Sequence, residues 1–552
     1  MKYLPTKTIL VSILVNLVLF TGSVAQQDPV SNIINDRIDQ IRTTGKLKIG
    51  DTQIASRHVL ARLYKKNKFK LLWQNPQNVK DLLDQLGVIE ADGLSPEDYH
   101  LSELMVLKLH LDENDSSDPE LLANYDILLT DSLIRLFYHL LFGKLDAEDL
   151  EPDWNMTRAI NNQEPVQAIQ ESLRSTQLAE TLENARPQYK AYKWMKSALK
   201  KYRDIQETGG WEPMPKGPVL KPGMTDGRIA LLRKRLHISG DLAGPLTDSD
   251  YFDNELKNAV IRFQKKHRLV ADGIVGKKTI AALNIPAKKK IDQIRVNLER
   301  GRWILHNIRA EFILVDIAGF RVDYFRDEKR VWSSKAQIGK PVRKTPVFES
   351  TVKYLVFNPT WTVPLTILQE DILPRVIKNP AYLKKMKISV IDRKGRIVDP
   401  HSIDWSKYSS KNIPYMLRQE PGPHNALGRI KFIFPNKHYI YLHDTPSRYL
   451  FKRKDRAFSS GCIRVKKDIE LAEILLDDPV KWNRGNIKKM LNTNKTRRIN
   501  LAKRVPISLL YWTVRFDENG NIIFKKDVYD RDREVLEGLN EEFEIWQRRV
   551  LE

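Results

Sequence analysis

Residues 459–465 read Ser-Ser-Gly-Cys-Ile-Arg-Val, and Cys462 within this stretch is the single cysteine of a 552-residue chain. His443 lies nineteen positions earlier and ends an alternating apolar run. A lone thiol cannot form an internal disulfide, so its local surroundings have to account for it. A thiolate is a strong nucleophile, and a nearby imidazole can take the thiol proton and later return it to a leaving amine. The pair therefore predicts a cysteine nucleophile and its general base.

The residues around the cysteine suit acyl transfer. Ser460 and Gly461 are small and leave room for a substrate carbonyl, and the backbone N–H groups near Gly461 and Cys462 can form an oxyanion hole. Arg464 adds a fixed positive charge suited to a substrate carboxylate. The alternative is structural: an isolated cysteine is often a small buried apolar residue, and a lone histidine such as His443 often serves the core.

Residues 311–530 have the alternating pattern of a β-rich catalytic domain. The predicted strands are 312–317, 320–325, 330–332, 352–357, 430–434 and 438–442. A last hairpin is expected near 505–514, turning at Asn519-Gly520. A long, mixed insertion, residues 361–423, interrupts the strands, and an insertion of this size in a catalytic domain is often a lid.

Residues 32–211 are mainly helical in pattern and read as a scaffold domain. Leucines and a tyrosine at three- and four-residue spacing between residues 122 and 140 predict one continuous helix. Ser95 before Pro96 predicts a helix start, with the serine as N-cap. Residues 531–552 are expected to form a C-terminal helical tail. The fold class predicted for the whole chain is therefore multidomain α+β.

Residues 226–285 follow a linker rich in glycine and proline and form a compact helical segment. Phe263-Gln264, followed by Asp-Gly-x-x-Gly-x-x-Thr over residues 272–279, resembles the small peptidoglycan-binding module. The glycines allow a tight turn, and Thr279 is expected to cap the last helix. The alternative is a helical spacer without a ligand.

Residues 1–25 read as a signal peptide, with lysines at the start, a short apolar run and a small-x-small cleavage site. The run is shorter than a membrane span, and the alternative is an uncleaved anchor. The predicted location is outside the cytoplasm. The net charge of +23 favours polyanionic partners, and an envelope rich in carboxylates and phosphates suits that location better than nucleic acid. Dispersed lysine and arginine can equally be a soluble surface.

The chemical motif resembles the signature of the L,D-transpeptidase (YkuD-type) catalytic domain. That signature is a histidine followed by Gly or Asp, a spacer of under twenty residues, and Ser/Thr-x-Gly-Cys-x-Arg, which residues 443–464 match. Further stretches resemble the large Gram-negative periplasmic branch that carries a lid: residues 338–341, 344–346, 358–364, 425–428 and 510–512. One departure is Ser460, where many members have histidine.

The resemblance implies roles for six residues. Cys462 is the nucleophile and His443 is the general base and acid. Gly461 and Ser460 lie with Cys462 at the oxyanion and substrate-binding loop, and Arg464 and Tyr441 lie close to the substrate. What orients the second nitrogen of His443 is open between Asp444, Ser459 and a backbone carbonyl. Neither a metal nor an organic cofactor is implied.

The implied reaction is formation of 3→3 cross-links between peptidoglycan stem peptides in the periplasm of a Gram-negative bacterium. Cys462 attacks a donor tetrapeptide, releases D-alanine and forms a thioester, which an acceptor stem resolves. Carbapenem-type β-lactams are implied inhibitors, and cell-wall synthases are possible partners. The alternatives are an L,D-carboxypeptidase or endopeptidase with the same Cys-His pair, and a non-catalytic peptidoglycan-binding protein.

Overall fold

The computed structural model describes residues 28–113, 118–156, 165–175, 177–306, 308–409 and 411–541. The predicted signal peptide, residues 1–25, lies outside them. The expected multidomain α+β class is confirmed: a helical region and a small helical module precede a β-rich domain. Within the described ranges no helix combines the length and the apolar character that a bilayer span requires.

The scaffold is built around one long buried helix. Its elements are α1 Pro29–Thr44, β1 Lys48–Ile49, β2 Thr52–Gln53, α2 Arg57–Lys66, α3 Pro76–Gly87, α4 Leu101–Glu113, α5 Pro119–Phe142, α6 Ala147–Leu150, α7 Pro165–Arg174, α8 Leu178–Ala185 and α9 Lys190–Glu207. Helix α5 is unbroken, as the leucine spacing predicted, and Asp118 caps its start by accepting the Glu120 N–H at 2.8 Å. The predicted helix start is confirmed: Ser95 is the N-cap residue of a short 3-10 helix, Pro96–Tyr99, although its side chain makes no cap hydrogen bond.

The small module consists of α10 Arg228–Ile238, α11 Asn254–Lys266 and α12 Lys277–Leu283. The side-chain amide of Gln264 holds the turn at residues 272–274 through both its nitrogen and its oxygen. Its Nε2 donates to Asp272 Oδ1 at 3.0 Å and to the Ile274 carbonyl at 2.9 Å, and its Oε1 accepts the Gly273 N–H at 2.9 Å. The Gln and Asp-Gly parts of the motif therefore fix the fold of the module.

The expected cap at Thr279 is wrong. Gly276 occupies the N-cap position of α12, so Thr279 lies one turn inside the helix. Its buried hydroxyl bonds back to the Ile274 carbonyl at 3.4 Å and accepts from Gln264 Nε2 at 3.3 Å. The threonine supports the turn rather than the helix end.

Two helices outside the predicted scaffold complete its core. They are α13 Ala287–Ile304 and α19 Asp532–Asn540, which place Trp303 and Leu539, among others, in the same apolar cluster as α5. The sequence analysis left residues 286–310 unassigned, because α13 is highly charged. Its charges are buried in pairs, such as Arg302 with Glu299. Of the predicted tail 531–552, the structure describes residues up to 541, and α19 is packed into the core.

Nine strands of the catalytic region form one sheet that closes on itself. The strands from residue 311 onward are β3 Glu311–Asp316, β4 Arg321–Arg326, β5 Lys329–Gly339, β6 Phe348–Phe357, β7 Trp361–Thr362, β8 Ser389–Ile391, β9 Ile397–Val398, β10 Met416–Gln419, β11 Ile430–Ile433, β12 Leu442–His443, β13 Ala457–Ser459, β14 Ile463–Val465, β15 Arg497–Leu510, β16 Val514–Phe516 and β17 Ile522–Phe524. The large sheet has the order β13-β5-β14-β12-β11-β6-β15-β3-β4, and β4 also pairs with β5. Helices α17 Asp468–Leu476 and α18 Arg484–Asn492 pack onto its apolar core.

Two strand predictions are wrong. Residues 505–510 belong to β15 in the large sheet, and the Asn519-Gly520 turn joins β16 to β17 instead. Residues 438–441 are not a strand. The Asn436 side chain accepts the His438 and Ile440 N–H groups at 3.1 and 3.0 Å and so captures amides that a ladder would need. Only Leu442–His443 remains as β12.

The insertion, residues 361–423, folds into a small unit with its own core. Strands β7-β10-β8-β9 form an antiparallel sheet in that order, and α14 Leu365–Ile367, a π-helical turn Leu368–Ile372, α15 Leu373–Lys378 and α16 Ala381–Lys385 cover it. Trp361, Val376 and Trp405 are among its buried residues. Tyr441 packs against this core and against the core of the large sheet. The insertion therefore rests beside the predicted site.

Candidate active site

Two short parallel strands bring the predicted residues together. In the β12–β14 pair, Leu442 lies beside Ile463 and His443 beside Arg464. The Ile463 N–H donates to the Tyr441 carbonyl at 3.1 Å. Successive side chains of a strand point to opposite faces. Leu442 and Ile463 are fully buried in the core.

The opposite face of these strands holds the candidate site residues. Tyr441 and His443 come from one segment, and Cys462 and Arg464 come from the other. The rings of Tyr441 and His443 contact each other, with centroids 5.8 Å apart. Cys462 and His443 are thus diagonal neighbours on one face of the sheet.

A lysine that the sequence analysis missed joins this face. Lys431 of β11 lies directly beside His443 in the antiparallel β11–β12 pair. Its ammonium group lies 3.7 Å from the ring centroid of Tyr441. Burial lowers the pKa of Lys431. The alternation of Ile430, Lys431 and Phe432 indicates that the lysine points away from the core. The sequence alone does not show that β11 pairs with β12, which places Lys431 beside His443.

The imidazole of His443 is neutral at rest. Its Nδ1 contacts the Asp444 carbonyl at 2.5 Å, and a carbonyl can only accept, so Nδ1 carries the proton. Burial, followed by the charges of Arg464 and Lys431, lowers the pKa of His443 to about 3, against the raising effects of the Asp444 and Leu427 carbonyls. The ring is therefore a neutral base. Of the three open candidates for orienting it, the structure selects a backbone carbonyl.

The Cys462 thiol is protonated at rest. Its residue is half-buried, and its sulfur contacts the Tyr439 carbonyl at 3.9 Å. Burial raises the pKa of Cys462 despite opposing contributions from Tyr441, Lys431 and Arg464. The resting pair is thus a neutral thiol and a neutral imidazole. Attack of this thiol on a carbonyl would require transfer of its proton.

The loop that precedes the cysteine, residues 459–462, is named the nucleophile loop. Ser459 Oγ donates to the Cys462 carbonyl at 2.5 Å and accepts the Gly461 N–H at 3.2 Å. Gly461 has a φ of +111°, which a residue with a side chain rarely adopts. The Gly461 N–H is thus engaged by a serine, whereas the Cys462 N–H has no acceptor in the described part of the chain. Of the two expected oxyanion donors, only the cysteine amide is free.

Arg464 and Ser460 have different surroundings. Arg464 Nη1 donates to Gln337 Oε1 at 3.2 Å, and its buried Nε has no hydrogen-bond partner. Among the residues described, neither Arg464 nor Lys431 has a carboxylate partner. Ser460 is exposed, and its hydroxyl accepts a hydrogen bond from Arg343 Nη1 at 2.7 Å. All six predicted site residues thus lie within one region.

Two sizeable cavities of the described residues lie away from this face. One of about 640 Å³ is bounded by scaffold and outer-sheet residues such as Trp194 and Trp512, and one of about 730 Å³ lies at the insertion around Pro400 and Pro421. None of the six site residues lines either cavity. The candidate site is therefore identified by the arrangement of its side chains and not by either of these cavities.

Comparison with known families agrees with the three-part architecture. Residues 310–481 match the model of the YkuD L,D-transpeptidase catalytic domain, residues 225–283 that of a "putative peptidoglycan binding domain", and residues 58–199 that of a scaffold domain. The chain thus contains a domain similar to the YkuD L,D-transpeptidase catalytic domain. The site residues described above all fall inside this matched domain.

One curated relative and two solved structures are similar to parts of this chain. A protein of Haemophilus influenzae described as a "putative L,D-transpeptidase" is 38% identical over 256 residues, which is 46% of this chain and 51% of the relative. The chain thus spans about half the length of that curated relative. Solved L,D-transpeptidases from Xylanimonas cellulosilytica and Stackebrandtia nassauensis are each 13% identical and cover 54% of this chain and 100% and 97% of their own, with TM-scores of 0.17 and 0.20.

Proposed function

We propose that this chain forms 3→3 cross-links between peptidoglycan stem peptides through a cysteine thioester. The observation that carries the proposal is the β12–β14 register, which supports a thiol, an imidazole and two unpaired cations on one face. A donor stem presents carboxylates to such cations and a carbonyl to the thiol.

The first half-reaction acylates the enzyme. As the Cys462 sulfur attacks the carbonyl at the L-centre of the third stem residue, His443 Nε2 takes the thiol proton. The Cys462 N–H stabilises the resulting oxyanion. The carbon–nitrogen bond to D-alanine then breaks, the imidazolium protonates the leaving amine, and the acyl group remains on sulfur.

The second half-reaction releases the acyl group to an amine. The side-chain amine of a neighbouring third residue attacks the thioester and gives its proton to His443, an amide forms, and the thiol is regenerated. The insertion, packed against Tyr441, acts as a lid that limits water and so favours the amine. If water were the acceptor, the same pair would make an L,D-carboxypeptidase.

The remaining expectations form part of the same proposal. The protein acts in the periplasm after export, the module of residues 225–283 helps it bind peptidoglycan, and a carbapenem-type β-lactam acylates Cys462. Cell-wall synthases are proposed partners, because they supply new stems.

The test is mass spectrometry of muropeptides after incubation with tetrapeptide-bearing disaccharides. We expect dimers with the wild-type protein and none with Cys462→Ala, while binding of that variant to sacculi stays nearly unchanged. Tripeptides without dimers would indicate the hydrolase. An unaltered product pattern in Cys462→Ala would refute cysteine catalysis and favour the non-catalytic binding protein.

A further inference from the structure

A second loop holds the nucleophile loop at three successive residues. Residues 340–345, named the bracing loop, follow β5. The Lys340 N–H donates to the Ser459 carbonyl at 3.0 Å, Arg343 Nη1 to Ser460 Oγ at 2.7 Å, and Thr345 Oγ1 to the Gly461 carbonyl at 2.7 Å. A displacement of the bracing loop is therefore passed directly to the residues beside Cys462.

The bracing loop is itself firmly anchored at its far end. Buried Thr345 accepts the Gly339 N–H on its hydroxyl at 3.0 Å and donates its own N–H to the Tyr529 hydroxyl at 3.1 Å. Tyr529 in turn donates to the Gly339 carbonyl at 2.6 Å. A Cβ at Gly339 would lie 2.1 Å from the Arg343 carbonyl, so only glycine permits this close approach. At Arg343 the bracing loop is less enclosed, and the position of this side chain depends on contacts with the insertion.

Arg343 connects the nucleophile loop to the insertion. Its Nε donates to Glu370 at 2.9 Å and its Nη1 to Asp371 at 2.6 Å, and Nη2 also bonds Glu370. The arginine side chain is 10% exposed, whereas Glu370 and Asp371 are 53% and 36% exposed. The planar guanidinium serves three partners at fixed angles, which a lysine ammonium on a flexible stem cannot reproduce.

We propose that Arg343 is a positioning residue that couples the seating of the insertion to the position of the nucleophile loop. The inference rests on the proposed function and deepens it. With the insertion seated, two carboxylates hold the guanidinium where it binds Ser460, directly before the Gly461-Cys462 amides. When the insertion lifts, Arg343 loses both charged partners, and the nucleophile loop loses its brace at Ser460. The site is therefore competent for acylation only when the insertion is closed over it.

The same connection gives Ser460 a role. Many family members have histidine at this position. The serine hydroxyl accepts from the guanidinium, and its small side chain leaves the thiol accessible, whereas the imidazole of a histidine is larger and can accept only at its unprotonated nitrogen. The departure from the family pattern is thus matched to the arginine on the bracing loop.

The test uses the full chain and three changes along the connection: Ser460→Ala, Arg343→Lys, and the double change Glu370→Gln with Asp371→Asn. The matched control is Glu420→Gln, which breaks the Arg418–Glu420 pair of the same insertion, at 2.7 Å, without touching the nucleophile loop. Hydrogen exchange of the peptide covering residues 459–462 reports loop order independently of activity. We expect faster exchange in Arg343→Lys and in the double variant, and no change in the control.

The kinetic readout is the single-turnover rate of Cys462 acylation by a tetrapeptide donor, followed by mass spectrometry. Ser460→Ala and the double variant should each slow acylation by about tenfold, because small misplacements of reacting groups cost rates of this order or more. The variant that combines Ser460→Ala with the double change should be acylated no more slowly than either one alone, because both break the same connection. Multiplicative losses, or exchange unchanged in every variant, would overturn the coupling while leaving an active wild type. A wild type that is never acylated would instead remove the proposed function, and exchange alone would then decide whether the connection exists.

Discussion

Lys431 is the residue whose replacement tests the electrostatics of the site most directly. Changing Lys431→Met removes a positive charge from the face that holds Cys462 while keeping most of the apolar stem that packs on Tyr441. Because the ammonium group favours the thiolate, its loss should raise the pKa of Cys462. Lys431→Arg keeps the charge and should leave the pKa of the thiol near the wild-type value.

The size of the shift follows from the strand geometry. Lys431 and Cys462 belong to chain segments two places apart in the sheet, on either side of β12. With about 4.8 Å between neighbouring strands, the two backbone segments lie about 9.6 Å apart across the sheet, and this spacing sets the order of magnitude of the charge separation. At an effective dielectric constant of about 20, unit charges at that distance interact by about 1.7 kcal/mol. This corresponds to a little more than one pKa unit.

The assay is the pH dependence of Cys462 alkylation by iodoacetamide, which reports a single site because the chain has one cysteine. The midpoint should move upward by about one pH unit in Lys431→Met. Burial lowers the pKa of Lys431 itself, so the lysine loses its charge as the pH rises. The difference in alkylation rate between the wild type and Lys431→Met should therefore be largest on the neutral side of the titration. Lys353→Met, at an exposed position of β6, is the matched control. A midpoint that stays in place or moves downward would refute the assigned role of the lysine.

Two further predictions concern the base and the loop. Burial and two cations hold the pKa of His443 at about 3, so the imidazole stays unprotonated as the pH falls. We therefore expect kcat/KM for acylation to be retained below pH 5. An acidic limb of the pH profile centred near 6.5 would contradict this. Gly461→Ala places a side chain at a φ of +111°. Its Cβ would make only ordinary van der Waals contacts, at 3.6 Å or more, so the backbone conformation is the source of the about 1–3 kcal/mol of local strain and the loss of acylation that we expect. Thermal unfolding of Gly461→Ala measures the strain, and an unstrained, fully active variant would show that the loop tolerates other backbone conformations.

The sequence predicted the fold best where a single periodicity dominates. Helix α5 followed from its leucine spacing, and β3 and β4 from their alternation. Helix α13 was missed because its apolar stripe is interrupted by charges. Arg302 is fully buried there, paired with Glu299 and donating to the Asp92 carbonyl at 2.8 Å. The Asp92 carbonyl lies 210 residues away along the chain, so this part of the compensation leaves no local signal.

The site shows the same division between local and distant information. Cys462 and His443 stand out through a local motif, and their neighbours on the same alternating segments could be named with them. The residues that the sequence analysis did not find, Lys431 and Arg343, act on the site from other strands and loops. Their places depend on the β11–β12 register and on the contact between the bracing loop and the insertion. Neither pairing is encoded by spacing along the chain.

The two unpaired cations act differently on the two halves of the catalytic pair. The charges of Arg464 and Lys431 favour a thiolate on Cys462 but oppose an imidazolium on His443. For transfer of one proton from sulfur to nitrogen these effects largely cancel, so the cations do not create a resting ion pair. What they stabilise is net negative charge on this face, which exists when a substrate carboxylate or a tetrahedral oxyanion occupies it. Under the proposed function, the two cations therefore act on the bound donor, and the thiol can stay protonated in the free site.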